Sequence, residues 1–132
     1  MRYETLDNQF RAGETGGDQM LALRTTVLAA LRFEPFSTTV ELIDSRAALD
    51  DAGTPLNTTL VNPAELLQGY VAWHARDLFA SGTESTLRAG RLTFDMGSRR
   101  LVARNEYRNT INAFTGVEWR WRDAKSNTLQ MF

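Results

Sequence analysis

The chain has no cysteine, one histidine, three prolines and a single lysine among its 132 residues. Without cysteine there can be no disulfide, no thiolate nucleophile and no sulfur-ligated metal. With His74 as the one imidazole, a zinc site would have to be completed by carboxylates alone, so neither a metal nor a cofactor is expected. No apolar run approaches the roughly 18 residues of a membrane helix. Residues Met1 to Phe10 are polar and mixed in charge, unlike a secretion signal. These absences predict a cytoplasmic protein with no membrane partner. Catalytic motifs are missing too: there is no Gly-x-Ser-x-Gly elbow and no phosphate-binding Gly-Lys-Ser/Thr. No enzyme class has positive support.

What is present fits a folded domain. Hydrophobic residues make up 42% and charged residues 23%, enough apolar surface to offset chain entropy. At this length one domain over 1–132 is expected, with 1–17 as a polar, glycine-bearing lead. The net charge of −1 hides a split: residues 1–75 carry five arginines against ten acids, whereas 76–132 carry nine arginines and Lys125 against six. Such a split suits docking of one copy's basic side on another's acidic side.

Local signals predict two helices. Asp18 is a good N-cap, and Met20, Leu23, Val27, Ala30 and Leu31 share one side of a helix over Gln19 to Phe33, which Glu34-Pro35 should end. Asn62, Pro63 and Glu65 stand at N-cap, first-turn and capping-box positions of a second helix, from Pro63 to about Ser81, with Gly82 as its left-handed cap. Between them Phe36 to Ile43 alternates as a strand, with a weaker one expected at Leu56 to Val61. A C-terminal three-stranded meander is expected: Arg91 to Met96, a return strand from Arg99 after Gly97-Ser98, and Val117 to Arg122. The predicted class is α+β, two helices packed on a mostly antiparallel sheet.

Two groups of residues stand out. His74 lies on the apolar side of the second helix with Asp77 one turn away; as a base and its orienting carboxylate they are the reserve catalytic pair, in a pocket that Tyr70 and Trp73 would help to line. Trp119 and Trp121 alternate with Arg120 and Arg122, near Arg100, Arg104 and Arg108. Aromatic residues and arginines are the commonest anchors of protein interfaces, so these seven are the candidate interface.

The run from Leu21 to Ile43, with Phe33-Glu34-Pro35-Phe36 at its centre, resembles a segment of the baseplate sheath-initiator family of contractile phage tails. Phe36 stands where that family has arginine, and the likeness covers under a fifth of the chain, short of membership. Taken together, the residues predict a non-enzymatic assembly or adaptor protein, a homo-oligomer or a subunit of a phage-tail or secretion-type complex. The alternatives are a small-ligand domain or modest enzyme with its pocket at His74, and, less favoured, an arginine-rich nucleic-acid binder.

Overall fold

The computed structural model describes residues 1–6, 18–50, 58, 60–93, 95, 104 and 108–132. They form strands β1 (Arg2–Leu6), β2 (Asp18–Phe33), β3 (Phe36–Ala48), β4 (Asn62–Arg76), β5 (Glu84–Leu92), β6 (Phe114–Arg122) and β7 (Thr128–Met131). All seven belong to one sheet, in chain order from β1 to β7. Among the described residues there is no helix, so the expected α+β class is corrected to all-β. By close contacts the chain divides into two units: Met1–Thr26, Ile43–Glu65 and Asn105–Ile111 form the first, and Val27–Leu42, Leu66–Arg104 and Asn112–Phe132 the second.

Both expected helices are strands, for a reason visible in their residues. In β2, Leu21, Leu23, Thr25, Val27, Ala29, Leu31 and Phe33 fall on one side of a period-two chain. The intervening Met20, Ala22, Leu28 and Ala30 are also apolar, and this near-continuous run satisfies a helical stripe equally well. In β4, Gly69 would cost a helix about 1 kcal/mol, while Tyr70, Val71 and Trp73 fit a pleated surface. Pro63 is tolerated because it sits at the beginning of the strand. The strand expected from Phe36 is present and runs on to Ala48, and the one expected from Val117 is the later part of β6. Arg2 to Leu6 of the expected lead pair with β2, Tyr3 opposite Leu21. The described residues of the weaker strand, Thr58, Leu60 and Val61, are outside any strand. The hairpin expected around Gly97-Ser98 lies outside the described residues, apart from Arg91 and Leu92, which end β5, and Thr93 and Asp95 after them.

In the first unit, Asn109 ties separate segments together. Its Nδ2 donates to the carbonyls of Leu60 at 2.6 Å, Leu23 at 3.1 Å and Arg46 at 3.3 Å, while its own carbonyl accepts from Ser45 Oγ at 2.6 Å. Met20, Ala22, Ile43 and Ile111 are buried in the same unit.

In the second unit the turns are compact. Asp77 Oδ1 accepts the Gly82 amide at 2.6 Å and Asp77 N donates to Thr83 O at 2.8 Å, closing the β4–β5 turn with Gly82 at φ 79°. After β6, Asp123 Oδ1 accepts the Lys125 and Asn127 amides, both at 2.8 Å, and Oδ2 accepts Asn127 Nδ2 at 2.7 Å. The Asn127 side chain foremost, with the two backbone amides, holds the Asp123 carboxyl below the usual aspartate range against an opposing push from desolvation. A depressed carboxyl contributes stability above its unfolded pKa and loses it as the pH falls through the folded one. Hydrogen-exchange protection of the Lys125 and Asn127 amides should therefore persist at neutral pH and fade only below the ordinary aspartate range. Asp123→Ala should remove it at every pH, and unchanged protection in that variant would disprove the arrangement.

Pairing of β4 with β5 depends on one glycine. Gly90 lies opposite Tyr70 at φ 139°, and a Cβ there would come 2.3 Å from Gly69 O and 2.8 Å from Tyr70 Cα. Backbone atoms cannot step aside as a flexible side chain can. Gly90→Ala is expected to destabilise the sheet by about 1–3 kcal/mol, the range of a strained backbone site. Denaturant unfolding followed by tryptophan fluorescence measures it, and a neutral result would contradict this close approach.

Candidate functional site on the charged face

Strand alternation sorts the second unit into two unlike faces. Register places Val71 opposite Ala89 and Ala89 opposite Val117, Trp73 opposite Leu87 and Leu87 opposite Trp119, and Trp119 opposite Met131. These form an apolar face. Across the Glu34-Pro35 turn, Phe33 and Phe36 extend it, their rings 6.2 Å apart. All three tryptophans of the chain, Trp73, Trp119 and Trp121, are on this face. Trp119 Nε1 donates to Ser85 Oγ at 2.7 Å and its ring meets Phe79 edge-on at 6.0 Å. Much of the face is open, with Leu31 at 68% and Val117 at 56% exposure.

The opposite face carries the charge, and two of its acids, Glu118 and Glu41, are buried. Glu118, at 0% exposure, accepts from its own strand and from both neighbouring strands. Arg88 of β5 lies on Oε2, while Arg120 Nε at 2.7 Å and Gln130 Nε2 of β7 at 2.6 Å share Oε1. The Arg88 guanidinium also stands 5.2 Å over the Tyr70 ring, a cation–π stack. Glu41 of β3 is the second buried acid. Arg104 grips it with both terminal nitrogens, Nη1 to Oε2 at 2.9 Å and Nη2 to Oε1, and Gln68 Nε2 donates to Oε2 at 2.6 Å. Thr93 Oγ1 donates to Gln68 Oε1 at 3.1 Å and accepts from Arg104 Nη1 at 3.3 Å. The Arg104 amide donates to Asp95 Oδ1 at 2.6 Å. Saturating every buried carboxylate in this way is what lets charge persist out of water. In this unit Glu41, Gln68 and Glu118 are buried alongside Leu67, Ala72 and Leu92, while other large apolar side chains stand exposed on the opposite face.

The expected site residues divide among these surroundings. Arg104, Arg120 and Arg122 line one groove of about 540 Å³ on the charged face. Trp119 and Trp121 are on the other side of β6. Arg108 belongs to the first unit, where its carbonyl accepts from Arg24 Nη1 at 3.1 Å, and Arg100 lies outside the described residues. His74 bonds Ser37 Oγ through Nε2 at 2.8 Å and Thr86 Oγ1 through Nδ1 at 3.3 Å, whereas the Asp77 carboxylate serves the Gly82 amide. Sequence reasoning missed Arg88, Gln68 and Glu41 as site residues. A signal existed for Glu41, the acid on the polar side of an alternating strand, but its partners come from β4 and from Arg104, distant in sequence.

One family model matches the chain, that of alginate export, over residues 1–131. No curated protein and no solved structure matches. The alginate export family consists of outer-membrane β-barrel porins. This overturns the adaptor reading, with its phage-tail or secretion-type complex, and likewise the exclusion of a membrane and the cytoplasmic placement, and it lends no support to homo-oligomeric partners. The lack of a long apolar run does not bear on a β-barrel, because a spanning strand shows lipid only alternate residues. With a match across 1–131 and an all-strand sheet that bears one apolar and one charged face, the chain belongs to the alginate export family.

Proposed function

We propose that this chain forms wall of an outer-membrane β-barrel whose apolar face meets lipid and whose arginine-bearing face lines the path of an acidic polysaccharide. The two-faced second unit carries this reading, because open apolar side chains on one side and buried ion pairs on the other suit a sheet between lipid and a wet lumen. Strands of 16, 13 and 15 residues in β2, β3 and β4 exceed the 9–11 or so that cross a bilayer. Among the described residues, the turns at 34–35, 77–83 and 123–127 are short and lie at one end of their strands. Barrels of this kind keep short turns on the periplasmic side and long loops outside. Alginate is a linear polymer of uronic acids with one carboxylate per sugar, and arginine is the side chain best shaped to meet a carboxylate.

The tryptophans make the lipid-facing half of this reading measurable. In vesicles of lipids brominated along the acyl chain, all three should be quenched, since all three lie on the apolar face. Aqueous iodide should quench them weakly. Strong iodide quenching without an effect of bromine would mean that the apolar face does not meet lipid.

A further inference from the structure

His74, the single imidazole of the chain, stands on the charged face between Ser37 of β3 and Thr86 of β5. Ser37 Oγ is 2.8 Å from its Nε2 and Thr86 Oγ1 is 3.3 Å from its Nδ1. Thr86 lies directly opposite it in the β4–β5 register, and the His74 amide donates to Pro35 O at 2.8 Å, so backbone bonds on both sides hold the ring between the two hydroxyls. All three side chains are half-buried, and they line a cavity of about 310 Å³ together with Glu84, Arg120 and Arg122. A serine hydroxyl becomes a useful nucleophile when a base in hydrogen-bond contact takes its proton, and the base serves best when its other nitrogen is held. In the tautomer with its proton on Nδ1, the ring donates to Thr86 Oγ1 and turns the Nε2 lone pair to the Ser37 hydroxyl. Asp77, the carboxylate that the sequence offered for the orienting role, is bound to the Gly82 amide instead. A threonine in its place fixes the ring without neutralising the imidazolium that forms, which makes for modest rates.

We propose that Ser37 and His74 are a nucleophile and base that hydrolyse short-chain acyl esters of polar alcohols, with Thr86 as the positioning residue. Ser37 Oγ bonds to the ester carbonyl carbon as His74 Nε2 takes its proton; the bond from that carbon to the alcohol oxygen breaks, and the alcohol leaves with the proton. Water then attacks the acyl-serine and gives a proton to His74, the bond to Oγ breaks, and Oγ recovers the proton as the carboxylic acid departs. The sum is ester and water to acid and alcohol. Arg120 and Arg122, on the same cavity wall, lend positive charge to the oxyanion of each tetrahedral intermediate. The polar lining and the size of the cavity suit a short acyl group. This activity goes beyond the transport reading and does not depend on it.

The test uses the full chain folded in detergent micelles, with para-nitrophenyl acetate and octanoate as substrates and a fluorophosphonate as covalent probe. Wild type should turn over the acetate faster than empty micelles do and faster than the octanoate, and the probe should label Ser37, as read by mass spectrometry of the digested chain. Ser37→Ala and His74→Gln should each lower kcat/KM at least about a hundredfold, the lower end of what positioned acid–base groups supply, with an unchanged circular dichroism spectrum. Thr38→Ala, which removes the adjacent hydroxyl that donates to Tyr70 O, should keep the activity. Thr86→Val should lower kcat about tenfold at unchanged KM, and Thr86→Ser should restore it. Turnover no faster than empty micelles, equal turnover in Ser37→Ala and wild type, or a label on a residue other than Ser37 overturns the pair and leaves the transport reading standing. An unchanged kcat in Thr86→Val overturns the positioning role, and octanoate turned over faster than acetate overturns the short-chain assignment.

Discussion

Removing Glu118 should cost this chain about 3–5 kcal/mol, the loss expected when one partner of a buried ion pair is deleted. The carboxylate collects Arg88, Arg120 and Gln130 from β5, β6 and β7, so Glu118→Ala releases three strands' donors at once. The two arginines will not suffer equally. Arg120, with its side chain 44% exposed, can turn to water, but Arg88, at 13%, is left charged against the Tyr70 ring. Most of the penalty should therefore sit on Arg88, and the double variant Glu118→Leu with Arg88→Met should recover much of it, because a packed apolar pair avoids the desolvation that the ion pair must overcome. Urea unfolding of the vesicle-folded protein, run as a double-mutant cycle, reads both numbers. If Glu118→Ala unfolds within about 0.5 kcal/mol of wild type, the cluster is not a structural tie.

Arginine in place of Val117 should destabilise the bilayer-folded chain by about 2–4 kcal/mol, falling toward 0–1 if the residue lies near the headgroups. In water the same change at a residue 56% exposed would be close to neutral, within about 0.5 kcal/mol. The experiment thus separates the two environments by magnitude. Val117 lies within β6 on the face shared by Leu87 and Trp119, opposite Ala89 and with no polar neighbour at its register position. Val117→Leu is the matched control, apolar and expected to be silent. Equal stability of the Arg and Leu variants in vesicles would mean that this face is bathed in water.

The two helix readings failed for different physical reasons. Over Gln19 to Phe33 most of the residues that alternate with Leu21, Leu23 and Val27, namely Met20, Ala22, Leu28 and Ala30, are themselves apolar, so period two and period 3.6 fit alike. Over Pro63 to Ser81 the capping pattern was a true local signal spent on something else. Asn62 Nδ2 does bond the Glu65 carboxylate, Asp44 Oδ1 accepts the Ala64 amide at 3.1 Å, and Gly82 does take a positive φ, but these close a strand's start and a turn rather than a helix. Phe36 to Ile43 was legible because its two faces differ, Val40 and Leu42 against Ser37 and Glu41.

At the candidate site, the alternation of Trp119 and Trp121 with Arg120 and Arg122 already separated an aromatic face from a basic one, and the structure preserves that separation. What the residues determine alone is this two-sidedness, the absence of thiol chemistry, the turn conformation at Gly82, and arginine as the almost exclusive cation. Tertiary structure decided the rest. Backbone hydrogen bonds that local signals assign within a helix are made instead between strands, and only pairing β4, β5, β6 and β7 side by side brings Arg88 and Gln130 to Glu118. Partners 30 residues apart leave no local trace, because the energy that joins them exists only once both strands have paired.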